Sequence, residues 1–335
     1  MDVLSDALRV IRLKGALFLN AEFGEPWCVH APSATELAPL LAPGQKHLAI
    51  CHLVVEGSCW AKLATGEAVL LEAGDVVALP HGDAHLVGSG LHGTPVAAGD
   101  AVRLKLPELA RTRYGGSGAG TVVICGWFGY EHQVSSPVMA ALPRLLHTNV
   151  RRRASGDWLE RSIRYAVDEA AAGRAGYDVV ADKLAEVLFV ETLRGYVESL
   201  PECHTGWLAG LRDPLVGASI TRLHERPAHR WTVASLAQAV NVSRTVLADR
   251  FVALVGMPPM QYLAQWRMAL AADLLTGANL SLTRVCEQVG YESEAAFSRA
   301  FRREYGMPPG AWRRSRDGAA QTASPHAVST ANTSA

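Results

Sequence analysis

The chain has 335 residues, of which 49% are hydrophobic and 19% are charged, and its formal net charge is zero. This length predicts two or three domains with ordinary buried cores, and the composition excludes a chain that is disordered throughout. No apolar run approaches the roughly 18 residues that a membrane span needs. Because Asp2 and Asp6 interrupt the apolar positions near the start and no small-residue cleavage site follows, we expect no signal peptide.

Residues 1 to about 130 are predicted to form strands, because short runs of Val, Leu, Cys and Trp are separated by glycines. The strand-length runs are His47–Val55, Cys59–Leu63, Ala68–Leu71, Val76–Leu79 and Thr121–Phe128. Strands at this spacing favour a barrel or a sandwich.

The pattern becomes helical after Pro137 and stays so to Leu200. The last helix of this stretch carries a broad apolar stripe at Leu184, Val187, Leu188, Phe189 and Val190. The stripe has two interpretations, which are burial against the body of the same domain and an interface between two chains.

The C-terminal third contains one block of sequence twice, at Trp231–Tyr262 (the first copy) and at Ser281–Trp312 (the second copy). In an alignment without a gap, Ser243 falls on Ser293, and Gly-Met-Pro-Pro recurs at 256–259 and 306–309. Each copy reads as an apolar-periodic helix, a short turn and a second amphipathic helix. This is the outline of a helix-turn-helix, a unit that places one helix in the major groove of DNA.

Local signals set the bounds of these helices. Asn241-Val242 and Gly290-Tyr291 are predicted to form the two turns, and Ser243 and Ser293 to cap the helices that follow. Pro258-Pro259 is predicted to prevent the second helix of the first copy from resuming.

The outward side chains of the second helix in each copy are candidates for DNA contact. Arg299 suits guanine and Glu294 suits cytosine, whereas Arg250, Arg302 and Arg303 are better placed for phosphates. For each arginine the alternative is a solvated charge. The candidate DNA contacts are Ser243, Arg244, Thr245, Ala248, Arg250, Ser293, Glu294, Ala295, Ser298, Arg299, Arg302 and Arg303.

Charge and spacing agree with an anionic partner. Residues 206–314 contain 13 arginines, no lysine and 8 acidic residues, an excess of five positive charges. Between the copies, Tyr262–Leu275 is predicted to be a connecting helix. If it holds the recognition helices about 34 Å apart, both can enter successive major grooves.

Residues 206–314, and YLAQWRM and VGYESEAAFSRAFRREYG in particular, resemble the AraC/XylS family of bacterial transcription regulators. The resemblance implies that Thr245 and Ala248 in the first copy, and Glu294, Ala295, Ser298 and Arg299 in the second, face bases. Asp249 departs from the basic or polar residue that many members have at this position, and an acidic side chain there repels phosphate.

The N-terminal module has a motif of its own, Gly74-Asp75 followed by Pro80, Gly82 and His85, which resembles the second motif of cupin barrels. The first cupin motif, with its His-x-His and Glu, is missing, so we expect no bound metal and no cofactor. His47 and His52 are five residues apart, so they face opposite sides of a regular strand. Only His85 therefore matches a cupin ligand position.

Cupin-like members of the family sense a signal in the barrel, and some respond to oxidants through cysteines. The resemblance makes His85, Cys125, Cys51, Cys59 and Cys28 candidates for an effector or redox site. The alternative for each thiol is a small hydrophobic core residue. The six cysteines, which include Cys203 and Cys286, lack a Cys-x-x-Cys pair and fit reduced thiols in a cytoplasmic protein.

We therefore expect an α+β chain with a cupin-like β-barrel, a helical linker and an all-α double helix-turn-helix. The predicted domains are a sensor at 1–135, a dimerising linker at 136–205, a DNA-binding domain at 206–314 and a disordered tail at 315–335. The predicted function is a non-enzymatic transcription regulator that binds double-stranded DNA as a homodimer under effector or redox control, with RNA polymerase as a partner if it activates. The alternatives are a cupin oxygenase or isomerase with an appended helical domain, and an adaptor whose helix-turn-helix units bind proteins.

Overall fold

The computed structural model describes residues 3–11, 14–42, 47–90, 94–98, 112–130, 139, 142–201, 205–277 and 280–322. Cys203 and residues 323–335 of the predicted tail lie outside these ranges.

In the described part of the N-terminal domain, the strands form two sheets, one with six strands and one with five. The strands are β1 (Lys14–Gly24), β2 (Trp27–Ala31), β3 (Leu48–Glu56), β4 (Ser58–Leu63), β5 (Ala68–Glu72), β6 (Asp75–Leu79), β7 (His85–Ser89), β8 (Val96–Ala97), β9 (Thr112–Gly115), β10 (Gly120–Gly129) and β11 (Leu146–Asn149). Their order is β11-β6-β3-β10-β1-β9 in one sheet and β5-β4-β7-β2-β8 in the other.

Alternation along the strands separates an inner core from an outer one. On β3, Ile50 and Val54 pack in the inner core between the two sheets, together with Trp27 of the opposite sheet. Cys51 and Leu53 point to the other face and pack in the outer core against helices. The central strand β3 is therefore buried on both faces, which explains its nearly continuous apolar sequence.

Three elements of this domain differ from the prediction. Residues predicted as strands include α1 (Val3–Ile11) and α2 (Ala34–Leu41), and the stretch predicted as helical contains β11. The start of α2 has a sequence signal, the Ser-x-x-Glu spacing of a capping box at Ser33 and Glu36. In the structure, the Glu36 carboxylate accepts hydrogen bonds from the Ser33 backbone N–H at 2.9 Å and from the Ser33 hydroxyl at 2.7 Å. Strand β11 is short and pairs with β6, a distant partner that local sequence does not reveal.

A helical layer covers the outer face of the six-stranded sheet. It consists of α3 (Gly156–Ala171) and α4 (Tyr177–Ser199), which pack against each other, and α4 also packs on β1 and β10. Leu184, Leu188 and Phe189 of the predicted apolar stripe are buried in the outer core. The stripe is therefore buried within the chain at these three positions, and an interface between two chains stays a prediction.

The C-terminal domain is helical, as predicted. Its helices are α5 (Trp207–Arg212), α6 (Pro214–Glu225), α7 (Val233–Ala239), α8 (Arg244–Val255), α9 (Pro259–Gly277), α10 (Leu282–Gln288), α11 (Glu294–Tyr305) and α12 (Pro309–Thr322). Two bounds correct the prediction. The helix α9 begins at Pro259 itself, since proline fits the first turn of a helix, and α12 continues past Arg314 into the predicted tail.

The connecting helix α9 divides its apolar side chains between two cores. Tyr262 and Trp266 belong to the outer core that also contains Phe128 of the sensor sheet, whereas Met268 and Leu275 belong to a separate core around the second copy. This division explains why the connecting sequence is apolar on several faces. Within the described residues, no helix is long and apolar enough to cross a membrane.

Candidate DNA interface and sensor site

The recognition helix of the first copy is α8, held in place by its apolar side. Leu247 and Phe251 are fully buried, and the Ser243 hydroxyl accepts a hydrogen bond from the Val246 backbone N–H at 3.2 Å. The helix ends at Gly256, whose φ of 80° is left-handed. These contacts fix which face of α8 remains open to solvent.

The recognition helix of the second copy, α11, follows the same plan. Phe297 and Phe301 are buried, the Ser293 hydroxyl accepts from the Ala296 backbone N–H at 3.2 Å, and Gly306 ends the helix at a φ of 73°. Both predicted serine caps are therefore present in the structure.

The turns of the two copies differ in length, which corrects the alignment without a gap. Ser281 caps α10 as Thr232 caps α7, an offset of 49 residues, whereas the recognition helices are offset by 50. The left-handed turn residues Asn241 and Gly290 follow the smaller offset. The second turn therefore contains one extra residue before Ser293.

Most of the predicted DNA contacts lie on open surface. Arg244, Thr245, Glu294, Ala295, Arg299, Arg302 and Arg303 are exposed, and Ala248 and Ser298 are half-buried. Within the described part of the chain, no ion pair involves Arg244, Arg299, Arg302 or Arg303. These four arginines therefore keep their donors available for an anionic partner.

Besides the two serine caps, two predicted contacts have side-chain partners within the protein. The Arg250 guanidinium donates to one Asp213 carboxylate oxygen through Nε at 3.0 Å and through Nη2 at 2.7 Å. The Thr283 hydroxyl donates to the Glu294 carboxylate. One candidate had escaped the sequence analysis, namely Val246, which is 51% exposed beside Thr245 and suits apolar contact with a thymine methyl group.

The barrel interior holds a chain of three polar side chains. Nε2 of His52 lies 2.7 Å from Nε2 of His85, and Nδ1 of His52 lies 2.8 Å from Sγ of Cys125. Nδ1 of His85 lies 2.8 Å from the Asp83 backbone carbonyl. His52 and Cys125 are cross-strand neighbours on β3 and β10, and His85 faces them from the opposite sheet.

The backbone carbonyl of Asp83 can only accept a hydrogen bond. It therefore fixes the direction of the hydrogen bonds that join His85, His52 and Cys125. His85 must donate from Nδ1, so its Nε2 accepts from the His52 Nε2–H, and His52 Nδ1 accepts the Cys125 S–H. Burial lowers the pKa of His52 well below its ordinary value, and the charge of His85 adds to this effect. Burial also lowers the pKa of His85 and raises that of Cys125. The three groups are therefore neutral together at neutral pH.

The other predicted cysteines lie in three different settings. Cys59 faces the barrel interior, and burial, with the charge of Asp75, raises its thiol pKa to about 12. Cys51 faces the helical layer, where burial raises its pKa to about 12. Cys28 is buried, which raises its thiol pKa, and it lies on the face of β2 opposite to Trp27. Of the four predicted cysteines, only Cys125 is therefore linked to His85. The link runs through His52, which contacts both side chains.

A cavity of about 300 Å³ lies at the end of the barrel near Gly57 and Gly120. Cys59 and Ser89 line it, and the buried Ser89 hydroxyl has no hydrogen-bond partner within the described residues. Ser89 is four residues beyond His85 on β7, so at roughly 3.3 Å per residue the cavity lies about 13 Å from the three-residue chain. An unsatisfied hydroxyl at a cavity wall is a group that a polar ligand can satisfy.

In the sensor, His52 is the functional candidate that sequence analysis missed. The argument that His47 and His52 face opposite ways did not say which one faces the interior, because β3 is apolar on both faces. Among the described residues, no group of three or more His, Cys, Asp or Glu side chains has an arrangement that could hold a metal ion.

Comparison with known proteins identifies both modules. A cupin family model matches residues 2–198, and a helix-turn-helix domain model matches residues 236–315. A putative AraC-like transcription regulator of Streptomyces lividans is 32% identical over 319 residues, which cover 94% of this chain and 98% of that protein. The chain belongs to the AraC-like transcription regulators with an N-terminal cupin domain. The resemblance drawn from its motifs and the predicted fold class are both confirmed.

Two further relatives of this AraC-like regulator have descriptive names. The RCS-specific HTH-type transcriptional activator RclR of Escherichia coli K12 is 26% identical over 93% of this chain and 97% of its own length. The crystal structure of the DNA-binding domain of AdpA in complex with a target DNA is 30% identical, with a TM-score of 0.30. It covers 32% of this chain and 95% of that one. The relatives that match over nearly the whole chain and have an assigned role are named as transcription regulators, which agrees with the predicted function.

Proposed function

We propose that this regulator binds an asymmetric DNA site, with α8 and α11 in successive major grooves on one side of the duplex. The observation that supports the proposal is the pair of capped recognition helices, each with arginines on its open face that have no ion-pair partner among the described residues. The excess of five positive charges over residues 206–314 also favours binding to the phosphates of DNA. We assign no reaction to the chain and place it in the cytoplasm, beside the chromosome.

The recognition helices divide their side chains between bases and phosphates. Thr245, Ala248 and Val246 face bases in the first segment, and Ala295, Ser298 and Arg299 in the second. The remaining polar candidates contact phosphates or position the helices, namely Ser243, Arg244, Arg250, Ser293, Glu294, Arg302 and Arg303. Glu294 belongs to this group because Thr283 already donates to its carboxylate.

Fluorescence anisotropy on DNA from upstream of the regulator's own gene tests this proposal. We expect sequence-selective binding whose affinity falls steeply with salt, because each neutralised phosphate releases counterions. A scrambled duplex of the same composition is the control. Equal affinity for both duplexes, or an affinity independent of salt, would instead favour the adaptor that binds proteins.

We infer that the barrel controls this DNA binding through its interior. The cavity beside Cys59 and Ser89 admits a small molecule, and Cys125 beyond it is a thiol whose S–H donates a hydrogen bond to Nδ1 of His52. Hydrogen peroxide that reached these thiols would transfer one oxygen atom to sulfur as its O–O bond breaks, which oxidises the thiol by two electrons to a sulfenic acid and releases the other oxygen as water.

Matched cysteine variants test the redox branch of this inference. We expect peroxide to change the affinity of the wild-type protein for its DNA and to leave Cys125→Ser unchanged. Cys51→Ser is the control, because Cys51 is equally buried but faces the helical layer. A response that Cys125→Ser retains would exclude this thiol and would leave Cys59, which lines the cavity, as the candidate for oxidation.

The exposed face of the helical layer is the surface that we assign to a second copy of the chain. Trp158 and Tyr165 on α3 are 59% and 56% exposed, and Val180 on α4 is 45% exposed. These side chains border a groove of about 490 Å³, and exposed aromatic patches of this kind mark interfaces. We expect a homodimer by analytical ultracentrifugation and a monomer for Trp158→Glu, with Val179→Glu at a neighbouring exposed site as the comparison.

We further propose that the regulator activates transcription and contacts RNA polymerase, since its relative RclR is named an activator. Transcription in vitro from the bound promoter tests this assignment. Fewer transcripts in the presence of the protein would make it a repressor.

A further inference from the structure

The turn of the second copy lies directly against the segment that precedes the first copy. A β-carbon added at Gly290 would lie 2.6 Å from Cα and 2.8 Å from the carbonyl oxygen of Ala228. These distances are shorter than any that real side chains adopt, so only glycine permits this approach. Gly290 also has a left-handed φ of 75°.

Two features could require glycine at position 290, namely the left-handed φ and the close approach to Ala228. The equivalent turn in the first copy shows which of them does. Asn241 takes the same left-handed conformation, with a φ of 57°, and asparagine tolerates it. The turn conformation alone therefore does not demand glycine. The close approach to Ala228 does.

The segment around Ala228 is itself held firmly. The Arg267 guanidinium, on the connecting helix α9, donates to the Pro227 carbonyl at 2.7 Å and to the His229 carbonyl at 2.9 Å. The Trp231 indole N–H donates to the Arg226 carbonyl at 3.1 Å. Gly290 therefore packs against a fixed surface rather than a loose loop.

An ion pair joins the same two segments at the surface. Arg230 and Glu292 lie 2.7 Å apart, with side chains that are 83% and 74% exposed. Glu292 belongs to the second turn, which is one residue longer than the first. The longer turn thus places a carboxylate opposite Arg230.

We propose that Ala228, Arg267 and Gly290, with the outer pair Arg230 and Glu292, form a bracket that sets the distance and angle between the two recognition helices. Its members are positioning residues. The inference rests on the proposed binding to two successive grooves, because only a site that engages α8 and α11 together depends on their relation.

The test measures spacing tolerance rather than affinity alone. A duplex is selected from random-sequence DNA by the wild-type protein, and a second duplex carries one extra base pair between the two footprints. We expect the insertion to weaken wild-type binding at least about tenfold, since it removes base contacts in one groove. We expect Gly290→Ala to bind the selected duplex less tightly and to discriminate less between the two spacings.

Gly306→Ala is the matched control, because Gly306 has a φ of 73° and no heavy atom within 4 Å of an added β-carbon. It carries the same backbone strain as Gly290→Ala without the contact. We expect it to keep the wild-type ratio of affinities. A ratio that is unchanged in Gly290→Ala would show that α9 alone orients the helices and would overturn the bracket. A wild-type footprint of one groove segment would overturn the proposed two-groove binding itself.

A charge exchange at the surface tests the bracket without touching the core. We expect Arg230→Glu to reduce spacing discrimination at low salt, and Arg230→Glu with Glu292→Arg to restore it. If Arg230 only contacted phosphate, the second substitution would not restore discrimination, and the outer pair would be excluded from the bracket.

Discussion

The two copies of the helix-turn-helix share a plan but differ in how they are anchored. Phe251 of the first copy and Tyr262 at its end lie in one continuous core with Phe128 of the sensor sheet and Phe189 of the helical layer. Phe301 of the second copy lies in a separate core. Packed side chains therefore connect the sensor to the first recognition helix, whereas the second copy meets the rest of the chain through α9 and through the contacts of Gly290 with Ala228 and of Glu292 with Arg230.

Truncation of the two equivalent phenylalanines tests this difference with the largest expected effect. Phe251→Ala and Phe301→Ala each remove a fully buried ring, which costs about 3 to 5 kcal/mol of stability. We expect Phe301→Ala to speed hydrogen exchange only in the second half of α9, in α10 and α11 and at the start of α12. We expect Phe251→Ala to speed exchange in α6 to α8 and also in the helical layer. Faster exchange confined to the first copy in Phe251→Ala would show that the shared core does not couple the domains.

Acid should distinguish the same two regions. Among the described residues, the sensor and the first half of the DNA-binding domain contain three buried histidines, His52, His85 and His224, whereas the second copy contains no histidine. Burial lowers the pKa of all three, and that of His224 to about 3. Below about pH 6.5 the unfolded chain takes up protons that the folded chain refuses.

The free energy of unfolding should therefore fall as the pH drops below 6.5, by about 1.4 kcal/mol per pH unit for each histidine that remains neutral in the fold. Urea unfolding at pH 7 and pH 5.5 measures the free energy of unfolding at each pH. We expect His224→Gln to make this free energy change less between the two pH values. Equal acid sensitivity of exchange in the second copy and in the sensor would contradict this assignment.

Substitutions on the open faces of the two recognition helices should have an intermediate effect, which is a loss of DNA affinity. If Arg299 reads a base, Arg299→Ala should weaken binding to the selected duplex by about 1 to 3 kcal/mol and relax specificity at one position. Arg244→Ala, which removes a proposed phosphate contact from the first copy, should weaken binding equally on all sequences. Anisotropy on duplexes with single base changes separates the two patterns.

Much of the C-terminal domain follows from local sequence, because caps, turns and apolar periodicity are local signals. Ser243, Ser293, Gly256 and Gly306 all take the roles that their sequence context indicates. The extra residue in the second turn was hidden because the alignment was anchored on Gly-Met-Pro-Pro, which follows the recognition helix.

The sensor site could not be predicted in the same way, because its members meet through register between distant strands. His52 and Cys125 are neighbours only because β3 pairs with β10, and His85 reaches them from the other sheet. Both faces of β3 are apolar, so no alternation marks the side of the strand that faces the barrel interior.

The smallest expected effect compares Arg250 of the first copy with Arg302 of the second. Arg250 already donates two hydrogen bonds to Asp213, whose carboxylate also caps α6 by accepting from the Leu215 and Val216 backbone N–H groups. Although the partial burial of Asp213 acts in the opposite direction, the bonds from Val216 and Arg250 keep its pKa below the ordinary value. An arginine held in this way has less to gain from a phosphate than Arg302, which has no ion pair within the described residues.

We therefore expect Arg302→Ala to reduce the salt slope of DNA binding by about one and Arg250→Ala to reduce it by less. Because the Arg250 side chain is largely exposed, its loss should change stability by no more than about 1 kcal/mol. If Arg250→Ala lowers the salt slope as much as Arg302→Ala does, the arginine leaves Asp213 when DNA binds, and the two recognition helices use equivalent phosphate contacts despite their different anchoring.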